Sequence, residues 1–140
     1  MASVLHITNG DSAGGLIQKS GIGGDVLPRR DVLHEGPVPA DLDLDQLREV
    51  RAGFIGSAGL GDLETIRREF LQRDDTLRRF AGYDEVVLWF EWDLYDQLQL
   101  IQLLVFFAGF APEGMTDTGT SISLVAGYIQ RMSDCETPFI

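Results

Sequence analysis

Val86-Val87-Leu88-Trp89-Phe90, followed at once by Glu91-Trp92-Asp93, is the stretch that decides the fold. Its apolar residues run without alternation over a strand's length, which is the pattern of a strand covered on both faces in a parallel sheet. Parallel strands need long crossovers, so helices should lie on either side in sequence. Downstream, residues 94–107 are apolar nearly all round and predict a buried helix, and residues 122–126 read as a further strand. Upstream, Asp62 starts a helix with Leu63, Ile66, Phe70 and Leu77 on one side. Glu64, Arg67, Arg68, Arg73 and Arg78 are expected on its solvated face. Leu42, Leu44, Leu47, Val50 and Phe54 suggest an earlier helix begun by Asp41 or Asp43. The segment 28–39 holds three prolines and reads as a structured loop with little regular pairing. Residues 25–27 and 4–8 supply two more strands. Between them, residues 9–15 read as a turn and 16–20 as a short helix closed by Gly21-Ile22-Gly23-Gly24.

This alternation predicts one α/β domain over residues 1–140: a parallel-rich sheet with helices on both faces, a Rossmann-like three-layer sandwich with right-handed crossovers. The length suits a single core, and 44% apolar residues are too many for a disordered chain. No apolar run is long enough to span a membrane, the start lacks a signal peptide's pattern, and Cys135 is the only cysteine. These features lead to an expectation of a cytoplasmic protein that does not engage membranes. The net charge of -11, with Lys19 the only lysine, opposes phosphate backbones, so no nucleic-acid partner is expected. An arginine site for one small anion remains compatible with it.

In an open parallel sheet, ligands bind beyond the carboxyl ends of the strands. Three polar clusters should reach that edge. The first strand delivers Asn9, Gly10, Asp11 and Ser12; the second delivers Arg29, Arg30, Asp31, His34 and Glu35; the third delivers Glu91, Asp93, Tyr95, Asp96 and Gln97. The glycines of 10–15 suit close approach of a ligand to backbone at a helix N-terminus, although Asp11 or Ser12 would equally cap that helix. His34 beside Glu35 is the candidate proton carrier, with Asp93 or Glu91 as its partner. His6, inside a strand, reads as structural. Glu91, Asp93 and Asp96 form an oxygen cluster of the kind that binds Mg²⁺ or caps a helix; no metal is assigned to it, and no cofactor is named. Trp89 and Trp92 suit core and margin packing.

Gly10-Asp11-Ser12 resembles the opening motif of the GDS-type esterases, and Asp31-x-x-His34 resembles their acid–base pair. In that family the pair comes near the C-terminus, whereas here it follows soon after the serine. A Ser12–His34–Asp31 triad would need spatial convergence. A longer resemblance runs through 5–14, 24–39 (GDVLPRRDVLHEGPVP) and 91–100 (EWDLYDQLQL). These stretches are similar to the bacterial family called domain of unknown function 1835, over residues 5–126. Two positions depart from it: Arg29 stands where Pro-Trp is expected, and Trp92 where the family commonly has the histidine of Glu-His-Asp. The resemblance implies an α/β core domain with one site built from the three clusters, either naturally short or the core of a longer architecture. It implies no reaction.

Three functions follow as expectations. The first is binding of a small molecule, a nucleotide or other phosphorylated compound, at the carboxyl edge. Asn9, Gly10, Asp11, Ser12, Arg29, Arg30, Asp31, Glu35, Tyr95 and Asp96 would form that site. The second is a hydrolase or transferase using His34 with Asp93, Glu91 or Ser12. The third is a regulatory or protein-interaction module, which predicts an exposed apolar patch near the polar edge or on a flanking helix.

Overall fold

A computed structural model of the chain describes residues 3–109 and 119–126. Four strands, β1 (Val4–Thr8), β2 (Asp25–Pro28), β3 (Glu85–Phe90) and β4 (Ser121–Ala126), form an all-parallel sheet in the order β2-β1-β3-β4. Strand β3, one of the two central strands, has the most continuous apolar sequence. The register places Ile7 beside Leu27 on one side and Leu88 on the other, and Leu88 beside Leu124. Strand period two then divides the faces.

Leu5, Ile7, Leu27, Val86, Leu88 and Phe90 point to one face. There they bury against Leu77 and Phe80, at and after the end of helix α3 (Leu63–Arg78), and Leu100 and Leu103 of α4 (Leu94–Gly109). The opposite face carries His6, Thr8 and Val87 and is covered by α1 (Asp11–Ser20). His6 is structural, as expected: its Nδ1 accepts from Trp89 Nε1 at 3.0 Å and its Nε2 lies 2.9 Å from the Gly23 carbonyl. Indole only donates, so the proton sits on Nε2 and both nitrogens are engaged. Helix α2 (Leu44–Ser57) packs on α3, with Ala52 and Ile55 against Ile66 and Phe70.

The helix starts follow the sequence. Asp43 caps α2 in a capping box with Gln46, and Asp62 caps α3 through the Thr65 amide. Three expectations are corrected. Residues 11–15 are not a turn; α1 begins at Asp11 and includes Gly14 and Gly15. Gly14 serves close packing, since a Cβ there would meet Val26 Cγ1 at 3.1 Å. Arg73 is not on a solvated face but buried, its guanidinium 4.0 Å above the Phe70 ring and bonded to Asp74 at 2.8 Å. Helix α4 is not buried all round. Asp96, Gln99, Leu100 and Leu103 face inward, while Leu94, Ile101, Leu104 and Val105 are exposed. A single helical layer over the sheet can cover only one stripe of an apolar helix. Among the described residues, no helix is long and apolar enough to cross a membrane. Cys135 lies outside the described residues.

Candidate functional site

Because all four strands run parallel, the segments after β1, β2 and β3 emerge on one edge of the sheet. The ladder continues past β2: the Arg29 amide donates to the Thr8 carbonyl and the Arg30 amide to the Asn9 carbonyl, both at 2.9 Å. Arg30 then turns through a left-handed backbone, φ 58°. A non-glycine residue there costs about 1–3 kcal/mol and persists only where its surroundings enforce it. The turn lays the guanidinium against the start of α1. Nε sits 3.0 Å from both Asp11 carboxylate oxygens and Nη2 sits 2.8 Å from Oδ1, with Glu69 at 4.0 Å. The bond to Asp11 is the main reason that the Arg30 pKa is raised. Gly10 is the N-cap of α1, and no side chain caps that terminus. Asn9, Gly10, Asp11, Arg30 and Glu69 give a cleft of about 360 Å³ its polar lining, with Ile55, Leu60, Ile66 and Phe70 as its apolar part.

Beside this cleft, the crevice between β1 and β3 is filled by side chains. Asn9 Nδ2 donates to Asp96 Oδ1, and the Glu91 amide donates to Asp96 Oδ2, both at 2.6 Å. Gln99 Nε2 donates to Asn9 Oδ1 and to the Asp31 carbonyl, again at 2.6 Å each. Asp96 therefore joins the ends of β1 and β3. Burial raises its pKa, and the charges of Asp93 and Glu91 add to that, against the two N–H bonds. Asp96→Asn offers one acceptor where two donors converge, so a loss of about 1–3 kcal/mol is expected in urea melts. A carboxyl group with a raised folded pKa binds protons more tightly folded than unfolded. Its ionisation therefore lowers stability as pH rises from the ordinary carboxylate range through the raised value. The deficit of Asp96→Asn relative to wild type should narrow over that rise; a widening deficit would refute the assignment.

Two expected ligand contacts lie inside the protein instead. Arg29 is 1% exposed; its Nη2 donates to Gln102 Oε1 at 2.8 Å, and Asp74 lies 3.9 Å from Nη1. Burial, reinforced by the nearby Arg73 charge, lowers its pKa to about 9. Asp31 is also buried, accepting from Arg51 Nη2 at 2.7 Å and from the Val32 amide, also at 2.7 Å. Both residues hold the 28–39 loop and do not present charge to a ligand. The loop needs such fixing because it has few ladder bonds of its own. At its tip Gly36, φ 77°, lies so close to the Phe54 ring that a Cβ would come within 2.5 Å of it.

His34 reaches the same edge but in different company from that expected. Its ring stands edge-on to Tyr95 with centroids 4.1 Å apart, and its ion-pair partner is Glu35 at 3.6 Å. It pairs with neither Asp93 nor Glu91. Asp93 accepts from the Asp96 amide at 2.9 Å, the bond that an N-cap makes at the start of α4. Glu91 accepts through its carbonyl from Gln97 Nε2 at 2.7 Å. Ser12 is exposed in the first turn of α1, and Asp31 is held by Arg51 and not by His34, so the esterase-like triad is not assembled. Among the described residues, no three His, Cys, Asp or Glu side chains converge as a metal ion requires, Glu91, Asp93 and Asp96 included.

The residues that sequence reasoning missed are Arg51, Asp74, Gln99 and Gln102. The signal was present for the glutamines: Asp96, Gln99 and Gln102 recur every third residue on a largely apolar helix, which puts polar groups on its packed side. Compared with known proteins, the chain matches no family model, no curated protein and no solved structure.

Proposed function

We propose that the chain binds a small anionic molecule, a nucleotide or other phosphorylated compound, in the cleft beyond β1 and β2. The observation that carries this reading is Arg30, held in a left-handed backbone with its guanidinium over a helix terminus that no side chain caps. Phosphate oxygens would accept from the first N–H groups of α1 and from Arg30. Asn9 and Asp11 would meet ligand hydroxyls, and Ile55, Leu60 and Ile66 would take a ring or other apolar part. The volume is that of a small-molecule site. A hydrolase or transferase reading has less support, since neither Ser12 nor Asp93 contacts His34.

The test is a thermal-shift screen with nucleotides and sugar phosphates, followed by calorimetry. A ligand that binds the folded state raises its apparent stability. Arg30→Ala should weaken the best ligand about 10- to 100-fold, the loss of hydrogen bonds to a charged group. Its melting temperature should stay near wild type, because the Arg30–Asp11 pair is solvent-exposed and contributes little. A screen with no stabilising ligand, or unchanged affinity in Arg30→Ala, would reject the proposal.

A further inference from the structure

Ile101, Gln102 and Val105 of α4 line a pocket of about 320 Å³ together with Leu33 and Val38 of the 28–39 loop and Leu47 of α2. Its shape is preset. Arg51, buried in α2, donates to the Glu35 and Pro37 carbonyls at 2.8 and 3.1 Å and so fixes the loop between Leu33 and Val38. The loop cannot sink onto α4 and fill the space without breaking those bonds. A preformed, mostly apolar pocket of this volume is of the kind that takes a small molecule.

Gln102 is the one polar side chain among the described residues that line it. Arg29 Nη2 donates to Gln102 Oε1 at 2.8 Å. A guanidinium only donates, so the oxygen end of the amide is committed to Arg29 and Nε2 is the end left for the pocket. Nε2 has no acceptor among the described residues. Behind the amide, the charge of buried Arg29 is only partly met. Asp74 lies 3.9 Å from its Nη1, but the same carboxylate serves Arg73 at 2.8 Å and Arg48 at 3.5 Å. Arg29 Nε and Nη1 make no hydrogen bond. The bond from this cation polarises the Gln102 amide and strengthens Nε2 as a donor. The lining also brings no acid, in a chain with 22 Asp and Glu against 11 Lys and Arg. An anion repelled over most of the surface is not repelled here.

We infer that this pocket is a ligand site separate from the cleft beyond β1 and β2, and that it takes a small apolar carboxylate of the fatty-acid class. The carboxylate accepts a charge-assisted bond from Gln102 Nε2, with the Arg29 charge one side chain behind. The hydrocarbon lies against Leu33 and Leu47 and removes Ile101 and Val105, both exposed, from water. An ammonium head finds no open acceptor on Gln102, since Oε1 is already engaged, and it meets the Arg29 charge.

The experiment is calorimetry of the full chain with octanoate, octanol and octylamine, three ligands with one tail and different heads, titrated to about 1 mM. Wild type should bind octanoate, and the other two about 10-fold or more weakly, the loss of a hydrogen bond to a charged group. Gln102→Glu keeps the shape and an acceptor for Arg29, so its melting temperature should hold. It removes the donor and adds a like charge, so octanoate should bind at least about 10-fold more weakly while octanol is unchanged. Ile101→Glu, an exposed substitution, should lose both ligands. Leu71→Glu, on an exposed leucine of α3 outside this pocket, and Arg30→Ala should change neither. No octanoate binding to wild type would overturn the inference, as would unchanged octanoate affinity in Gln102→Glu or Ile101→Glu. Octanol or octylamine binding as tightly as octanoate would also overturn it, leaving an apolar groove without a carboxylate site.

Discussion

Arg51→Met is expected to destabilise the protein by about 3 to 5 kcal/mol, the cost of breaking a buried ion pair and leaving one charge behind. Arg51 is 1% exposed, and it fixes the 28–39 loop with every donor it has. Nε and Nη2 reach Asp31 at 3.1 and 2.7 Å. Nη1 donates to the carbonyls of Glu35 and Pro37 at 2.8 and 3.1 Å, and Nη2 to that of Val32 at 2.9 Å. Methionine fills much of the volume but satisfies neither the carboxylate nor the three carbonyls. Arg51→Lys should recover little, because one ammonium cannot reproduce a planar fork spanning four acceptors. The decisive variant is Arg51→Met combined with Asp31→Leu. It removes the stranded charge, so urea melts should find it more stable than Arg51→Met alone. Arg51→Met within about 1 kcal/mol of wild type would mean that the loop is held by other contacts.

The same residue shows where the sequence was readable and where it was not. The strands were legible because burial on both faces leaves a continuous apolar run, as in 86–90, and the helix starts because Asp43 and Asp62 cap in a local pattern. Arg51 and Arg73 sit among polar residues at helical spacing, and nothing within a few positions separates a solvated arginine from one folded inward. Their burial depends on Asp31 and Asp74, and in the first case on a partner 20 residues away in sequence. The glycines of α1 misled for a related reason. Gly14 reads locally as a turn residue, but its role is set by Val26 on the neighbouring strand. The three polar segments were correctly expected on one edge, since parallel topology alone requires it. Which side chains remain open there was not legible. Arg29 and Arg30 are adjacent, yet one enters the core and the other turns outward through a left-handed backbone. Only the packing of α3 and α4 decides between them.

Val87→Asp should cost at least about 4 kcal/mol, enough to unfold a domain of ordinary marginal stability in part of the population. Val87 is buried in β3, where it aligns with His6 of β1 and Ser123 of β4 on the face covered by α1. A carboxylate there needs a counter-charge; of its two polar neighbours in register, Ser123 offers only a hydroxyl, and His6 alone could become a cation. That imidazole cannot serve without loss. Its Nδ1 accepts from Trp89, and its Nε2 is bound to the Gly23 carbonyl. Protonating Nδ1 to meet the new charge would break the indole bond and place a second charge in the core. Val87→Thr separates the contributions. It keeps the branched shape and adds one hydroxyl, so its cost should be about 1 to 3 kcal/mol, the range for burying a polar group. The gap between the two variants then measures charge burial with volume nearly held. Urea denaturation followed by circular dichroism gives both values. If Val87→Asp is no less stable than Val87→Thr, water or a cation reaches this face of the sheet, and β3 is not the enclosed centre that its sequence and register describe.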